Sequence, residues 1–349
     1  MVMAHFLRRC GQAVISAGVT MVPPVSGYAV VKEDPMLSET KYIWSTKLDW
    51  DKYLRPRRLS EAIDLLESYG KEAKIIAGGT DLLIQIRKKE ARPTVLIDIT
   101  GIPGLDQIRL DEGLIKVGAL VTHDQMAASP MLKEKASALS EGAFWVGSPQ
   151  IRNLGTVGGN IVSGQPGADT TIPLLALGAT VKVVGVNGER TVALSEFFLG
   201  PGKTAVGATS EIVTEVSFPA LKEEETSLTL RLARRKALAL PILVTSLVLS
   251  ADLKERRFRY VNIALGPVAP VPFRAREAEQ YLVSAEINEK TIREAARKAA
   301  RESNPRTNPL RGSAPYRKDM VEVLVERGIK KGLCLLGARH DKSENRDRG

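Results

Sequence analysis

Ile75-Ile76-Ala77-Gly78-Gly79-Thr80-Asp81-Leu82 is the stretch on which the fold turns. Lys74-Ile75-Ile76-Ala77 reads as a short strand and Leu82 to Lys89 as a helix, so the glycine pair occupies a strand-to-helix junction. Where Cβ atoms are missing, backbone N–H groups can approach an anion closely, and the helix N-terminus adds favourable polarity. A diphosphate suits such a junction. Upstream, Leu59, Ala62, Ile63, Leu65, Leu66 and Tyr69 recur at helical spacing, with Ser60 as the N-cap and Gly70 as the stop. Downstream, Thr94 to Ile99 reads as a buried strand. Together these pieces make an α/β unit of about fifty residues, the size of a parallel crossover.

A second glycine pair lies in Thr156-Val157-Gly158-Gly159-Asn160, after the polar run Gly147-Ser148-Pro149-Gln150-Ile151-Arg152-Asn153. It again offers crowded amides beside hydroxyl and amide side chains. Either pair alone reads more readily as a tight turn; two of them can clamp one dinucleotide from both sides. No Gly-Lys-Ser/Thr follows either pair, and neither gives GxGxxG with an acidic residue about twenty positions on, which disfavours P-loop NTPases and Rossmann dehydrogenases.

The rest of the chain divides by pattern. Strands at Leu114–Leu120, Val181–Val186 and Ile212–Phe218, a hairpin signal at Asn187-Gly188 and helical stretches near 122–128 and 132–145 read as α+β. Thr122 is a candidate helix N-cap with His123 in the first turn. From Leu228 there are strand-like runs at 228–233, 242–251 and 258–265. After the Pro-rich break at 267–272, helices follow at 275–282, 292–302 and 316–331. The expected organisation is an N-terminal flexible extension over 1–48, a domain over 49–222 with subdomains of about 49–105 and 106–222, a third domain over 228–333 and a disordered charged tail over 337–349.

With 349 residues, 44% of them hydrophobic, the chain can bury a large core. Cys10 and Cys334 lie at opposite ends and His5, His123 and His340 are scattered, which argues against a self-contained iron–sulfur cluster or zinc site. Metal chemistry would have to come from a partner. Residues 228–349 carry 26 Lys/Arg against 14 Asp/Glu, a net of +12 out of a total of +10, so the basic excess is regional. Its few aromatics form no stacking platform, so a solvated helical face or a docking surface for acidic partners is favoured over nucleic-acid binding. Arg8-Arg9 and the uncharged stretch Cys10–Val31 match a signal peptide poorly, because Pro23-Pro24 and scattered Gly, Ser and Thr interrupt it. A cytoplasmic protein without a membrane span is expected, with export by the N-terminal extension left open.

The runs Ile75–Leu82 and Ile151–Ile161, with Asp169 thirteen positions after Thr156, resemble the FAD-binding medium subunit of molybdenum hydroxylases, the xanthine dehydrogenase and carbon monoxide dehydrogenase flavoprotein family. The resemblance runs from about Tyr53 to Leu333 and includes Val261-Asn262-Ile263-Ala264-Leu265-Gly266-Pro267-Val268-Ala269-Pro270 and Ser313-Ala314-Pro315-Tyr316-Arg317. It implies an α+β chain: a PCMH-type two-subdomain FAD-binding fold followed by a separate α+β domain of the CO dehydrogenase flavoprotein C-terminal type. It implies that Ile75, Ile76, Ala77, Gly78, Gly79, Thr80, Asp81 and Leu82, with Thr156, Val157, Gly158, Gly159 and Asn160, hold the FAD diphosphate and neighbouring groups. Asp169 would accept from ribityl or ribose hydroxyls, Val146 and Val213 would be apolar walls, and Arg231 would stand where the family often has Lys. Read without the resemblance, these last three are core valines and a surface arginine. Asp81 would repel a diphosphate and is expected to turn into the helix N-terminus or toward the flavin ring.

The sequence departs from the family after Arg234-Arg235, where Ala239 and Val244 stand in place of the usual acidic residue and Asn. That puts the contacts on that side of the flavin, and the identity of the electron acceptor, in doubt. The resemblance implies an oxidoreductase subunit that carries FAD and no catalytic acid, base or nucleophile of its own. The molybdenum cofactor would sit in a large molybdopterin-binding partner and 2Fe-2S clusters in a small one, in a hetero-oligomer up to a dimer of heterotrimers, with an external electron acceptor. The alternatives are a self-contained reductase like the UDP-N-acetylenolpyruvoylglucosamine reductases, a covalent-flavin oxidase and a basic binding module without cofactor.

Overall fold

The computed structural model describes residues 50–235 and 238–346. The expected extension over 1–48, with its arginine pair, lies outside them. The described chain forms two compact units, Gly104–Gly207 with Glu211–Gly349 making the larger and the residues up to Pro103 with Ala208–Ser210 the smaller.

In the smaller unit, β1 (Lys52–Leu54), α1 (Leu59–Tyr69), β2 (Ala73–Ile76), α2 (Leu82–Arg87) and β3 (Val95–Asp98) build a parallel sheet of order β1-β3-β2. Helix α1 buries Ala62, Ile63 and Leu66 and ends at Gly70 in a positive-φ conformation. Its N-cap is Arg58 rather than Ser60, and no side chain caps it. Instead the Glu61 carboxylate accepts from the Arg57 N–H at 3.0 Å and from Arg58 at 2.7 Å, so an acidic side chain inside the first turn reaches back to hold the entry to the helix. Ile76 pairs with Asp98, so the first glycine pair leaves β2 at the carboxyl end of the sheet, the end at which open α/β sheets bind ligands.

The larger unit continues with β4 (Ile108–Asp111), β5 (Leu114–Gly118), α3 (His123–Ala128), α4 (Pro130–Lys135), α5 (Ser137–Phe144), α6 (Pro149–Arg152), α7 (Val157–Val162), α8 (Thr171–Ala176), β6 (Thr180–Gly185), β7 (Gly188–Ala193), α9 (Leu194–Phe197), β8 (Phe198–Gly200), β9 (Lys203–Thr204) and β10 (Glu211–Pro219). It forms an antiparallel sheet of order β4-β5-β10-β6-β7. Two expectations shift here. Gly185 pairs with Gly188, so the hairpin turns on Val186-Asn187, and Gly188 closes it at φ 102° instead of occupying the turn centre. The single helix expected over 132–145 is broken at Ala136, which is extended at φ −160° between α4 and α5.

From residue 225 onward, β11 (Glu225–Ala233), β12 (Pro241–Asp252), β13 (Arg257–Gly266) and β14 (Phe273–Arg274) form a second antiparallel sheet, followed by α10 (Arg276–Leu282), α11 (Glu289–Glu302) and α12 (Ala314–Arg346). Side chains alternate across β12: Val244 and Val248 join the core of the preceding subdomain, and Leu243, Leu247 and Leu249 join the core built with α11 and α12. A strand covered on both faces explains the near-unbroken apolar run from Pro241 to Leu249. The charged tail expected to be disordered after Leu336 is helix as far as Arg346. Residues 347–349 lie outside the described chain. No helix among the described residues is long and apolar enough to cross a membrane.

Candidate functional site

The first glycine pair has the backbone expected of a ligand loop. Gly79 is in the left-handed region at φ 67°, and a Cβ there would stand 3.2 Å from Ile76 Cδ1 and Leu83 Cδ1, so both conformation and space call for glycine. Its carbonyl accepts from the Leu83 N–H at 3.0 Å, which starts α2. Among the described residues, the N–H groups of Gly78, Gly79, Thr80, Asp81 and Leu82 make no intrachain hydrogen bond. The segment is half-buried from Ala77 to Thr80. Five amides at the carboxyl end of a parallel sheet, ahead of a helix, fit a diphosphate by donor chemistry alone. Asp81 occupies the N-cap position but makes no cap bond, and it is exposed, so of its two expected orientations the one into the helix N-terminus is not adopted. Ile75 is half-buried and Ile76 buried in β2, and Leu82 packs against the Ile76, Ile86 and Leu96 cluster, so these three carry the loop from below.

The second pair is built otherwise, and the structure corrects its reading as an open amide cradle. Thr156 caps α7, and Gly158 and Gly159 form the first helical turn. Val157 donates to the Val121 carbonyl and Gly158 to the Ala119 carbonyl, both at 2.9 Å. Gly159 donates to Thr156 Oγ1 at 3.2 Å and Asn160 to the Thr156 carbonyl at 2.9 Å. Every amide from 157 to 160 is therefore committed within the chain. A Cβ on Gly158 would lie 2.7 Å from Ala119 Cβ and 2.8 Å from its carbonyl oxygen, so that glycine exists to dock the turn on the end of β5. Gly159 faces the other way, with only Thr156 Oγ1 within 4 Å of an added Cβ. The segment thus presents an open face at Gly159 and no free amide from 157 to 160.

Beside this turn the structure assembles groups that the sequence motifs only partly mark. Asn160 Oδ1 accepts from the Thr170 hydroxyl at 2.7 Å and the Thr171 hydroxyl at 3.3 Å. Both threonines are fully buried, so they fix the amide, and among the described residues its NH2 has no acceptor. Thr170 and Thr171 were missed by sequence reasoning; their position directly after Asp169 was the available signal. Asp169 Oδ1 accepts from Arg231 Nε at 2.8 Å, with side-chain exposures of 12% and 5%. Burial raises Asp169 to about 6, and the Arg231 guanidinium opposes that rise. Arg231 also donates to the Ala239 carbonyl and lies 5.8 Å from the Trp145 ring centroid. It is a buried brace rather than a surface arginine. Asp169 Oδ2 makes no hydrogen bond within the described chain and stays available to a ligand hydroxyl.

The remaining candidates have structural duties. Val213 is buried in the sheet core opposite Val183, one residue before a bulge whose Thr214 carbonyl accepts from the Ala119 N–H. Val146 is half-buried, and its carbonyl accepts from Arg152, which stacks 5.3 Å from Phe144. Thr122 caps α3 in a reciprocal box with Gln125, as expected. His123 follows it, buried against Gly155, with Nδ1 unpartnered; burial, helped by Arg152, lowers it to about 4. Among the described residues no group of His, Cys, Asp and Glu could hold a metal ion.

Comparison with known proteins agrees with this chemistry. Residues 46–221 match the family described as the FAD binding domain in molybdopterin dehydrogenase. The chain belongs to that family. Residues 229–331 match the CO dehydrogenase flavoprotein C-terminal domain. This FAD-binding chain is 34% identical to the nicotinate dehydrogenase FAD-subunit of Eubacterium barkeri, over 79% of the chain and 93% of that protein. It is 32% identical to the 6-hydroxypseudooxynicotine dehydrogenase complex subunit alpha of Paenarthrobacter nicotinovorans, over 80% and 94%. Among solved structures, a chain of carbon monoxide dehydrogenase from Hydrogenophaga pseudoflava superposes with a TM-score of 0.78 at 31% identity, covering 82% of this chain and 98% of that one. The FAD-binding subunit thus has the two-domain fold of the molybdopterin dehydrogenase flavoproteins.

Proposed function

We propose that this chain carries electrons within a molybdenum hydroxylase assembly, taking them from a 2Fe-2S partner subunit and passing them to an external acceptor, with the molybdenum cofactor in a third, large subunit. The observation that supports this most is the set of unengaged N–H groups from Gly78 to Leu82 at the carboxyl end of the parallel sheet. Bound FAD supplies a ring that accepts electrons singly and releases them as a pair. The chain's own residues bind and orient it. The Gly78–Leu82 amides would donate to the diphosphate, where bonds to a charged acceptor are strong. Asn160, held by Thr170 and Thr171, would donate through its free NH2, and Asp169 Oδ2 would accept from a hydroxyl of the ribityl chain or ribose. Gly159 keeps its side clear for close approach.

The roles assigned here to Gly78–Leu82, Gly159, Asn160 and Asp169 are binding roles, which suits a relay. The cytoplasm is the compartment this reading assumes. The relatives named as complex subunits support a hetero-oligomer. Purification from the source organism, with an absorption spectrum and subunit analysis, tests the proposal: flavin bands with co-purifying molybdenum and iron–sulfur subunits are expected. A yellow monomer that reduces a small substrate alone would overturn it in favour of a self-contained reductase.

A further inference from the structure

Three of the four most exposed large apolar side chains among the described residues, Leu238 at 59%, Leu240 at 62% and Leu310 at 62%, come from just two loops of the larger unit. These are residues 234–235 and 238–240, between β11 and β12, and residues 306–312, ahead of α12. The loops are tied together, because Arg234 donates to the Pro309 carbonyl. Leu238 is held outward in the left-handed region at φ 52°, a conformation that costs a non-glycine residue energy.

The rim of this patch is cationic. Arg234, Arg235 and Arg306 are exposed, with Arg235 donating to the Leu238 carbonyl, and Arg311 lies half-buried near Gly167. Arg317 is buried and donates to the Pro267 and Arg306 carbonyls. Among the described residues none of Arg234, Arg235, Arg306, Arg311 and Arg317 forms an ion pair, and the charge that bears on Arg317 is another cation, Arg311. On α11 and α12, Arg293, Arg297, Arg301 and Lys330 meet Glu289, Glu294, Glu322 or Glu326, while Lys290, Lys318 and Arg327 form no ion pair among the described residues. Among the described residues the exposed leucines of the patch thus stand beside three exposed cations without an ion pair, Arg234, Arg235 and Arg306.

Building on the proposed function, we infer that residues 234–235 and 238–240, with the loop 306–312, form the docking site for an acidic face of the electron-delivering partner subunit. Exposed leucines ringed by arginines have the composition of an interface core and rim, and unopposed cations select a carboxylate-bearing face. A small anion is a poorer occupant, because the guanidinium groups of Arg234, Arg235 and Arg317 are turned onto main-chain carbonyls and do not converge on one point. A nucleic acid is poorer still, since exposed Tyr316 offers no stacking series. The electron-delivering subunit is favoured over other partners by continuity with the cofactor residues: the Arg231 guanidinium that holds Asp169 also holds the Ala239 carbonyl of the patch loop.

The test is hydroxyl-radical footprinting of the purified assembly and of the isolated full chain, with the flavin content of each measured from its spectrum. Oxidation of Leu238, Leu240 and Leu310 is expected to fall about fivefold on assembly, as fully desolvated interface centres require. In co-expressed assemblies, Arg234→Glu with Arg235→Glu is expected to lower retained iron–sulfur subunit about tenfold at moderate salt while flavin per chain is unchanged. Leu238→Ser with Leu240→Ser should weaken assembly in the same direction, a check against misfolding of the charge-reversed chain. A yellow assembly with equally labelled leucines, or a charge-reversed chain that keeps its partner, overturns the docking site alone. Protection of the leucines in a homodimer, or by anionic lipid vesicles, also overturns it, and a colourless assembly overturns both this inference and the flavin relay.

Discussion

The glycine pair at 78–79 and the pair at 158–159 are alike as letters and opposite in where their N–H groups go. Among the described residues, the first leaves five consecutive amides without an acceptor. The second commits all of its amides to Ala119, Val121 and Thr156. A segment of the first kind is completed by its ligand and gains order with it; one of the second kind is complete beforehand and serves as a rigid wall.

The largest effect that would break this contrast is at Gly158. Gly158→Val drives a side chain into Ala119, so the apo chain should lose about 3 kcal/mol or more in denaturant unfolding, regardless of FAD. An unchanged midpoint would remove the packing role assigned to it. Next comes stripping of FAD: amide exchange at 78–82 should speed up by about two orders of magnitude, whereas that at 157–160 should change little, read by hydrogen exchange in holo and apo protein. Replacing one donor in the first segment, Thr80→Pro, should weaken FAD binding about 10- to 100-fold by flavin titration, with the fold intact, because a bond to a charged group is lost.

His123 sharpens the comparison through pH. Its folded pKa of about 4 lies below the ordinary 6.5, so the unfolded chain takes up a proton in that window while the folded one does not. Stability is therefore full above about 6.5 and falls as the pH drops through the window, with a limiting slope of about 1.4 kcal/mol per unit. His123→Gln should flatten the part of the slope between pH 6.5 and 4 in unfolding experiments. The smallest effect is expected at Gly159, where the added Cβ of Gly159→Ala meets only Thr156 Oγ1 and stability should move by less than about 0.5 kcal/mol. Gly159→Trp should fold equally well and still lose flavin; stoichiometric FAD on that variant would remove Gly159 from the site.

Much of the scaffold was legible because it is local. The periodicity of Leu59–Tyr69, the Gly70 stop and the Thr122 cap each depend on residues within a few positions. The hairpin slipped by one residue because register is set by pairing of Gly185 with Gly188, not by the Asn-Gly letters. The two glycine pairs could not be told apart in sequence, since the carbonyls of Ala119 and Val121 that absorb the second set of amides lie more than thirty residues upstream. The Asp169–Arg231 pair spans 62 positions and leaves no periodic trace. Family resemblance marked both residues as candidates, but only the fold brings them together and adds Thr170 and Thr171 behind Asn160.

Arg231 grips residue 239 through its peptide oxygen, so the loop is anchored by the course of the main chain and not by any particular side chain there. The alanine that departs from the family's acidic habit therefore costs the anchor nothing. Position 239 can drift through evolution without loosening the loop, provided the guanidinium at 231 is kept.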